Sequence, residues 1–228
     1  MVVVNGDVTK EATETFFVNL SNPVGATISD GQGVGIIADD DKATVADFDL
    51  DHMSDVSVFR ASEGRWYILQ SASLTPKIVD FGQVGDIAVP GDYDGDSISD
   101  VAIWRPSEGN WYRILSSNGS TSIDNWGLAG DKPVQGDYDG DGKTDVAVFR
   151  PSSGTWYILK SSTNFTAWDT RVWGVGSDTP APGDYDGDGR TDVAVYRPSN
   201  GTWYIWFSST GTTAAVAWGA GGDLPIVR

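Results

Sequence analysis

The amino-acid sequence predicts an all-β protein built from four similar units, and three observations support this prediction. The string GDYDGD begins at Gly91, Gly136 and Gly183, and a Trp–Tyr pair follows each copy. Short segments between these landmarks alternate in polarity and are rich in β-branched and aromatic residues, which is typical of half-buried strands. The 28 glycines and 10 prolines, together with the β-branched residues, leave no segment with the length and pattern of an α-helix.

The repeat extends beyond these three copies. A weaker copy begins at Asp47, so the first aspartates lie at positions 47, 92, 137 and 184, which are 45, 45 and 47 residues apart. A second aromatic landmark, Phe–Gly or Trp–Gly, recurs near the end of each copy. Residues 42–228 therefore form a predicted repeat domain with units 47–91, 92–136, 137–183 and 184–228.

Each unit is expected to contain four short strands. In the third unit, Val146–Arg150 and residues 155–160 have strand patterns, and a third strand ends at Trp173. The segment before each aspartate loop, residues 132–135 in the second unit, is a fourth strand that its proline restricts to an edge or a strand start. Four short strands per unit match one blade of a β-propeller. The sequence thus predicts a propeller-type array of four four-stranded blades.

The composition excludes several classes of function. With 32 acidic and 15 basic residues and a net charge of −17, the chain is expected to bind no nucleic acid. The absence of cysteine excludes disulfides and thiolate metal sites. No apolar run approaches the roughly 18 residues of a membrane-spanning helix, so no membrane insertion is expected.

Each unit begins with an aspartate loop that predicts a cation site. Carboxylates recur at loop positions 1, 3, 5 and 9, and glycines at positions 4 and 6 allow a tight backbone curl. Calcium, which takes six to eight oxygen ligands, suits such loops better than magnesium, which retains its waters. The predicted ligands, with position 7 contributing a backbone carbonyl, are Asp47, Asp49, Asp51 and Asp55; Asp92, Asp94, Asp96, Ile98 and Asp100; Asp137, Asp139, Asp141, Lys143 and Asp145; and Asp184, Asp186, Asp188, Arg190 and Asp192.

Two loops depart from the glycine pattern. The first loop has Leu50 and His52 at positions 4 and 6, so we expect it to be the weakest site and one that could be empty. The second loop has Ser97 at position 6, and we expect it to bind calcium with some backbone strain.

The string GDYDGDGKTDVAVFRPSSGTWY, residues 136–157, resembles the FG-GAP/VCBS-type repeats of bacterial and integrin-like β-propellers. The resemblance covers residues 42–228 and implies calcium-binding loops in an extracellular or cell-surface protein. Such repeats usually form seven-bladed rings. Four units therefore imply a fragment of a larger ring, a four-bladed ring, or a half-ring closed by another chain, so that self-association is one expected route to closure.

The first 41 residues lack the repeat. Residues 11–23 and 31–41 resemble the C-terminal part of a Calx-β domain, which implies a partial β-sandwich segment. In that family, acidic residues at such positions bind calcium, and here they would be Glu11, Glu14, Asp39 and Asp40. Two or three strands do not form a sandwich core alone.

Two functional interpretations follow. The first is a calcium-rigidified extracellular adhesion or binding module with a protein or glycan ligand. The alternative is a lectin-like, carbohydrate-binding propeller, which could be appended to an enzyme. Trp168, in the two-residue insertion of the third unit, is the candidate sugar-binding residue because it has no counterpart in the other units. We expect no catalysis, since every acidic cluster is already assigned to a metal loop.

Other recurring side chains have structural interpretations. The repeated tryptophans are expected to fill the core between blades, as is Trp104. Four arginines that end the first strand of each unit are expected to pair with aspartates of a neighbouring loop or blade: Arg60, Arg105, Arg150 and Arg197.

Overall fold

The computed structural model describes residues 14–25, 27–37 and 46–226. The chain divides into two compact units, residues 1–42 and 43–228. All strands of the described residues pair antiparallel, and no α-helix occurs among them. The all-β prediction is confirmed.

The first unit contains two described strands. β1 (Glu14–Asn19) and β2 (Gln32–Ile37) form an antiparallel sheet in which Asn19 lies opposite Gln32. Three of the predicted N-terminal calcium ligands, together with the side chain of the fourth, lie outside the described residues: Glu11, Asp39, Asp40 and the carboxylate of Glu14.

The second unit consists of four successive antiparallel sheets, which we number 1 to 4 in chain order. Together they form a propeller-like fragment. Sheet 1 contains β3 (Val56–Arg60), β4 (Arg65–Leu69) and β5 (Pro76–Asp80); sheet 2 contains β6 (Ile87–Ala88), β7 (Val101–Arg105), β8 (Asn110–Ile114) and β9 (Thr121–Asn125); sheet 3 contains β10 (Lys132–Pro133), β11 (Val146–Arg150), β12 (Thr155–Leu159) and β13 (Trp168–Val172); sheet 4 contains β14 (Thr179–Pro180), β15 (Val193–Arg197), β16 (Thr202–Trp206) and β17 (Thr213–Ala217). Sheet 1 has three strands among the described residues, which resume at position 46.

The sheets do not follow the predicted unit boundaries. The short strand before each aspartate loop was predicted to belong to the preceding unit, but β10 pairs with β11, with Pro133 opposite Val148. The cause is the loop itself, which folds back so tightly that Gly136 bridges Asp145. The strands before and after each loop thereby become neighbours. In sheets 2 to 4, the aspartate loop therefore connects the first and second strands of the sheet.

The core lies between successive sheets. Val146 and Val148 of β11 are fully buried in one cluster with Trp104 and Trp111 of sheet 2. Phe149, on the opposite face of β11, packs in a second cluster that reaches sheet 4. Because successive side chains of a strand point to opposite faces, β11 contributes to both junctions. The expectation that Trp104 and the recurring Trp111 fill the core is confirmed.

Indole groups also connect the sheets by hydrogen bonds. The Nε1–H of Trp126, which follows sheet 2, donates to the carbonyl of Tyr157 in sheet 3 at 3.1 Å. Trp173 repeats this contact to Tyr204 of sheet 4 at 3.0 Å. Phe81 occupies the same place after sheet 1 and has no such donor. The second aromatic landmark is therefore a junction residue.

Three of the four recurring arginines pair with aspartates outside the metal loops, whereas Arg60 pairs with Glu63 at 3.1 Å among the described residues. Arg150 forms a bidentate pair with Asp131, with distances of 2.9 and 2.8 Å, and its guanidinium lies 4.3 Å from the ring centroid of Tyr157. Arg105 and Arg197 make the equivalent pairs with Asp86 and Asp178. Each aspartate precedes the first strand of the arginine's own sheet, which corrects the expected loop or neighbouring-blade partner.

Candidate metal sites in the aspartate loops

The position-1 carboxylate organises each aspartate loop. In loop 3, which begins at Asp137, the N–H groups of Gly140 and Gly142 donate to its two carboxylate oxygens at 2.6 and 2.8 Å. Both glycines have positive φ, at 79° and 81°, which L-residues rarely adopt. These bonds wrap the backbone around one carboxylate. Burial raises the pKa of Asp137 above its usual value, with repulsion from Asp141 adding to the shift.

The position-9 carboxylate ties the loop to the rest of its sheet. Asp145 is fully buried and accepts hydrogen bonds from the N–H of Tyr138 at 2.9 Å and of Ser161 at 2.7 Å. Burial raises its pKa to about 6, against the opposing effect of these hydrogen bonds. Asp100 of loop 2 has the same environment, and burial likewise raises its pKa to about 6.

The position-3 carboxylate has an oxygen with no hydrogen-bond donor. In loop 3, Oδ2 of Asp139 accepts a hydrogen bond from Ser162 at 2.6 Å, whereas Oδ1 is buried and has no partner among the described residues. The Oδ1 atoms of Asp49 and Asp94 are likewise buried without a hydrogen-bond donor among the described residues. Burying a carboxylate oxygen without compensation is costly. A cation bound in the loop would supply that compensation, so these residues fit a metal ion.

Carboxylates converge in all four loops. In each, one oxygen from each of three aspartates lies within 4.8 Å of the others. The groups are Asp47, Asp49 and Asp55; Asp92, Asp94 and Asp96; Asp137, Asp139 and Asp145; and Asp184, Asp186 and Asp192. In loop 2, the third member of the group is the position-5 carboxylate of Asp96, whereas in the other loops it is the position-9 carboxylate. Three carboxylates at this separation can share one cation.

The predicted ligands at positions 5 and 7 are placed differently in loop 3. The position-5 carboxylate of Asp141 is outside the converging group and accepts hydrogen bonds from the N–H of Lys143 and the hydroxyl of Ser161, both at 2.9 Å. Asp51 and Asp188 have the same arrangement. Coordination by the carbonyls of Ile98, Lys143 and Arg190 stays a prediction.

Loop 1 adopts the common loop shape without glycine. Leu50 and His52 have φ values of 63° and 64°, and their N–H groups donate to Asp47 at 2.7 and 2.9 Å. Desolvation raises the pKa of Asp49 above its usual value, with repulsion from the neighbouring carboxylates as a further cause. The converging group is therefore present in loop 1, and its weaker binding stays a prediction.

Sequence reasoning missed a serine that supports each loop. The backbone N–H of this serine donates to position 9 and its hydroxyl donates to position 5. The four serines are Ser71, Ser116, Ser161 and Ser208. A constant offset of 24 residues from the first aspartates at 47, 92, 137 and 184 was the available signal. The offset is constant because both strands of the intervening hairpin keep their length.

Successive loops are hydrogen-bonded to each other. The carbonyl of Asp92 accepts the N–H of Thr144 in loop 3 at 2.6 Å, and the carbonyl of Asp137 accepts the N–H of Thr191 in loop 4 at 2.5 Å. Ser99 makes the same bond to Asp47 at 2.6 Å. The residue that organises one metal loop therefore also holds the next sheet.

Comparison with known proteins gives a partial assignment. An FG-GAP-like repeat model matches residues 137–195, and an FG-GAP repeat model matches residues 178–223. Residues 137–223 contain FG-GAP repeats. These matches give no support to the VCBS and Calx-β resemblances, and no curated protein sequence matches the chain. FG-GAP repeats are typical of binding modules.

Two solved structures resemble the chain at low identity. The crystal structure of BBS1N in complex with ARL6DN, soaked with lead, has 15% identity and a TM-score of 0.43; the match covers 96% of this chain and 56% of that one. PorZ, a surface component of the type-IX secretion system of Porphyromonas gingivalis, has 12% identity and a TM-score of 0.36, with 70% and 26% covered. The chain thus spans about half and about a quarter of the two structures.

Trp168 lies on β13, the last strand of sheet 3. Its side chain is 55% exposed, and its ring centroid is 6.0 Å from that of Trp126. It is therefore accessible to a ligand from one side. Within the part of the chain that the structure describes, no helix has the length and hydropathy of a membrane span.

Proposed function

We propose that the chain is a calcium-binding module of an extracellular adhesion or binding protein. The buried, unpartnered Oδ1 atoms of Asp49, Asp94 and Asp139 carry this proposal, because a bound cation would compensate all three. Calcium is the favoured ion, since the converging donors are oxygens and it accepts the irregular geometry of a nine-residue loop. Affinities of order 10⁻⁴–10⁻³ M suit extracellular calcium.

The proposed role of calcium is structural. Asp92 supplies a carboxylate to the ion of loop 2 and a carbonyl to Thr144 of the next loop. An ion that holds Asp92 in place would therefore stabilise the junction of sheets 2 and 3. If the ion binds only the folded state, a free ion concentration of 100 times the Kd adds about 2.7 kcal/mol of stability per site. Four divalent ions would also reduce the net charge of −17 to −9.

Thermal unfolding with and without calcium tests this role. We expect about 10 mM calcium to raise the Tm above that in EDTA, because it exceeds the Kd range of extracellular sites. Asp139→Asn keeps the side-chain shape but removes a ligand charge, and should reduce the calcium-dependent stabilisation by about a quarter if the four sites contribute equally. Asp80→Asn is the matched control, because Asp80 is exposed and outside every loop.

Terbium luminescence provides a second readout. Tyr93, Tyr138 and Tyr185 occupy position 2 of loops 2 to 4, where they can sensitise a bound lanthanide. Calcium should displace terbium from these sites. An unchanged Tm in EDTA, or equal calcium responses of the Asp139 and Asp80 variants, would refute the structural role.

Several parts of the proposal concern the partner and the location. We assign the module to the cell exterior or cell surface, with a protein or glycan ligand and without catalytic activity, nucleic-acid binding or membrane insertion. The use of FG-GAP repeats in binding modules supports this assignment. The partial Calx-β segment at residues 1–41 stays a prediction.

Self-association is proposed for the two outer sheets. Val56 and Val58 of sheet 1 are 72% and 57% exposed, whereas the equivalent Val146 and Val148 are fully buried against the preceding sheet. Trp218 after sheet 4 is 78% exposed, whereas the equivalent Trp173 donates its indole N–H to the next sheet. Sheets 1 and 4 thus each expose a surface that, in the equivalent inner sheets, packs against a neighbouring sheet.

Sedimentation velocity tests this association. We expect concentration-dependent assembly that Val58→Lys abolishes, because a buried lysine in such a junction would lack a partner. A monomer at all concentrations would refute it. The alternative function, a lectin-like propeller, is favoured by one observation, a groove between sheets 3 and 4 whose lining includes Arg171, Arg190 and Trp206.

A further inference from the structure

A groove of about 330 Å³ lies between sheets 3 and 4. Its walls include Ile158, Asp169 and Arg171 of sheet 3 and Arg190, Trp206 and Gly211 of the sheet 4 region. The volume is at the lower end of the range of small-molecule sites, roughly 300–1,000 Å³. One sugar ring is an appropriate size for this space.

The corresponding place between sheets 2 and 3 is filled by protein. The N–H of Phe165 donates to the carbonyl of Lys160 at 3.0 Å, and the N–H of Gly211 donates to that of Phe207 at 2.9 Å. Phe165 and Gly211 have similar φ values, 58° and 67°. They therefore occupy equivalent positions in the turns that follow β12 and β16.

A second substitution distinguishes the two junctions. Arg113 on β8 has the register position of Ile158 on β12, and its guanidinium lies 4.2 Å from the ring centroid of Phe165. Arg113 is fully buried, so this pair closes the junction of sheets 2 and 3. Between sheets 3 and 4, Ile158 and Gly211 replace the two long side chains. Their smaller volume accounts for the groove.

The groove carries cations that are not neutralised by protein carboxylates. Arg171 lies 4.1 Å from the ring centroid of Trp206, which holds its guanidinium along the wall. Arg190 lies against the backbone of Gly140 in loop 3, where a Cβ would approach its Nε to 2.6 Å. Neither arginine forms an ion pair with a carboxylate of residues 46–226. These two guanidinium groups lack a carboxylate partner among residues 46–226, although acidic residues outnumber basic ones by 32 to 15 in the chain.

The remaining lining is mixed in charge and polarity: Lys160 pairs with Asp169 at 2.6 Å, and Asp139 is a predicted ligand of the loop 3 ion. Ile158 and Trp206 provide apolar surface, whereas Thr170 and Ser208 provide hydroxyl groups. A ligand that matches this lining has one negative charge, several hydroxyl groups and an apolar ring face. A small inorganic anion would satisfy only the arginines, and a neutral sugar would leave them unpaired.

We propose that the groove binds an acidic sugar residue whose carboxylate pairs with Arg171 and Arg190. The fork of an arginine matches the geometry of a carboxylate. This inference rests on the proposed binding function and assigns the ligand class. It also moves the predicted sugar contact from Trp168, which lies outside the groove lining, to Trp206.

Isothermal titration of the full chain in calcium buffer tests the proposal, with galacturonate and galactose as paired probes. We expect galacturonate to bind and galactose to bind at least about tenfold more weakly, because hydrogen bonds to charged groups are the stronger ones. Arg171→Gln should weaken galacturonate binding by a similar factor. Gly211→Phe should abolish it by filling the groove, as Phe165 fills the equivalent position. Trp168→Ala is the control that should retain binding.

Three results would overturn the proposal: no binding up to roughly 10 mM galacturonate, ten times the weak 1 mM affinity; equal binding of galactose; or unchanged binding by the Gly211→Phe variant. Calcium-dependent Tm shifts are recorded on the same samples. If these shifts persist while galacturonate fails to bind, the groove assignment is refuted and the calcium role stands. If the shifts are absent, the calcium role fails independently.

Discussion

Replacing Ser97 by glycine should stabilise the chain, although glycine usually destabilises folded proteins. Ser97 occupies position 6 of loop 2 with φ of 69°, where loops 3 and 4 have Gly142 and Gly189. An L-residue in this region costs roughly 1–2 kcal/mol. Glycine relieves that cost but loses roughly 0.5–1 kcal/mol through the greater freedom of the unfolded chain. The central values leave a net gain of about 0.75 kcal/mol, and the extremes of the two ranges leave between roughly 0 and 1.5 kcal/mol.

Differential scanning calorimetry in EDTA measures this effect without calcium binding. For a chain of this length, 1 kcal/mol corresponds to roughly 2–4 °C, so Ser97→Gly should raise the Tm by about 1–4 °C. Ser99 is the matched control: it is buried in the same loop, has no positive φ, and donates its N–H to Asp47. Ser99→Gly should lower the Tm. A lower Tm for Ser97→Gly, or shifts of the same sign in both variants, would refute the strain argument.

Two further substitutions test the sheets and their junctions. Arg150→Met should cost about 3–5 kcal/mol in urea unfolding, because it leaves the buried carboxylate of Asp131 without its cation. Arg60→Met, which removes an exposed pair, should cost at most about 1 kcal/mol, and equal losses would contradict this reasoning. Trp173→Phe should cost about 1 kcal/mol, because it removes the hydrogen bond to Tyr204 between sheets 3 and 4. An unchanged unfolding midpoint would show that this bond contributes nothing to the junction.

The candidate metal loops were the most predictable part of the protein. Asp137, Asp139 and Asp145 are close in sequence, and glycine positions predicted the backbone curl that brings them together. The role of Asp141 was less predictable, because its carboxylate bonds to Ser161, which lies on the far side of a hairpin. Local patterns indicate which residues share a loop, whereas a partner beyond the hairpin depends on strand register.

The boundary between sheets shows a similar limit. The sequence places β10 before the loop of Asp137 and β11 after it, and it correctly indicates that both are strands. Pairing between them follows from the fold-back of the loop, which the spacing alone did not reveal. The repeat period is a property of the sequence, and the point at which one sheet ends is a property of hydrogen-bond pairing.

By itself, the sequence determined the all-β class, the number of repeats and the composition of the aspartate loops, because each depends on short-range pattern and local backbone preference. The tertiary structure alone decided which carboxylate oxygens remain without donors, which arginines remain without carboxylates, and where Gly211 leaves space that Phe165 fills elsewhere. These features depend on distances between side chains from different sheets. Packing sets such distances, and no local sequence pattern encodes them.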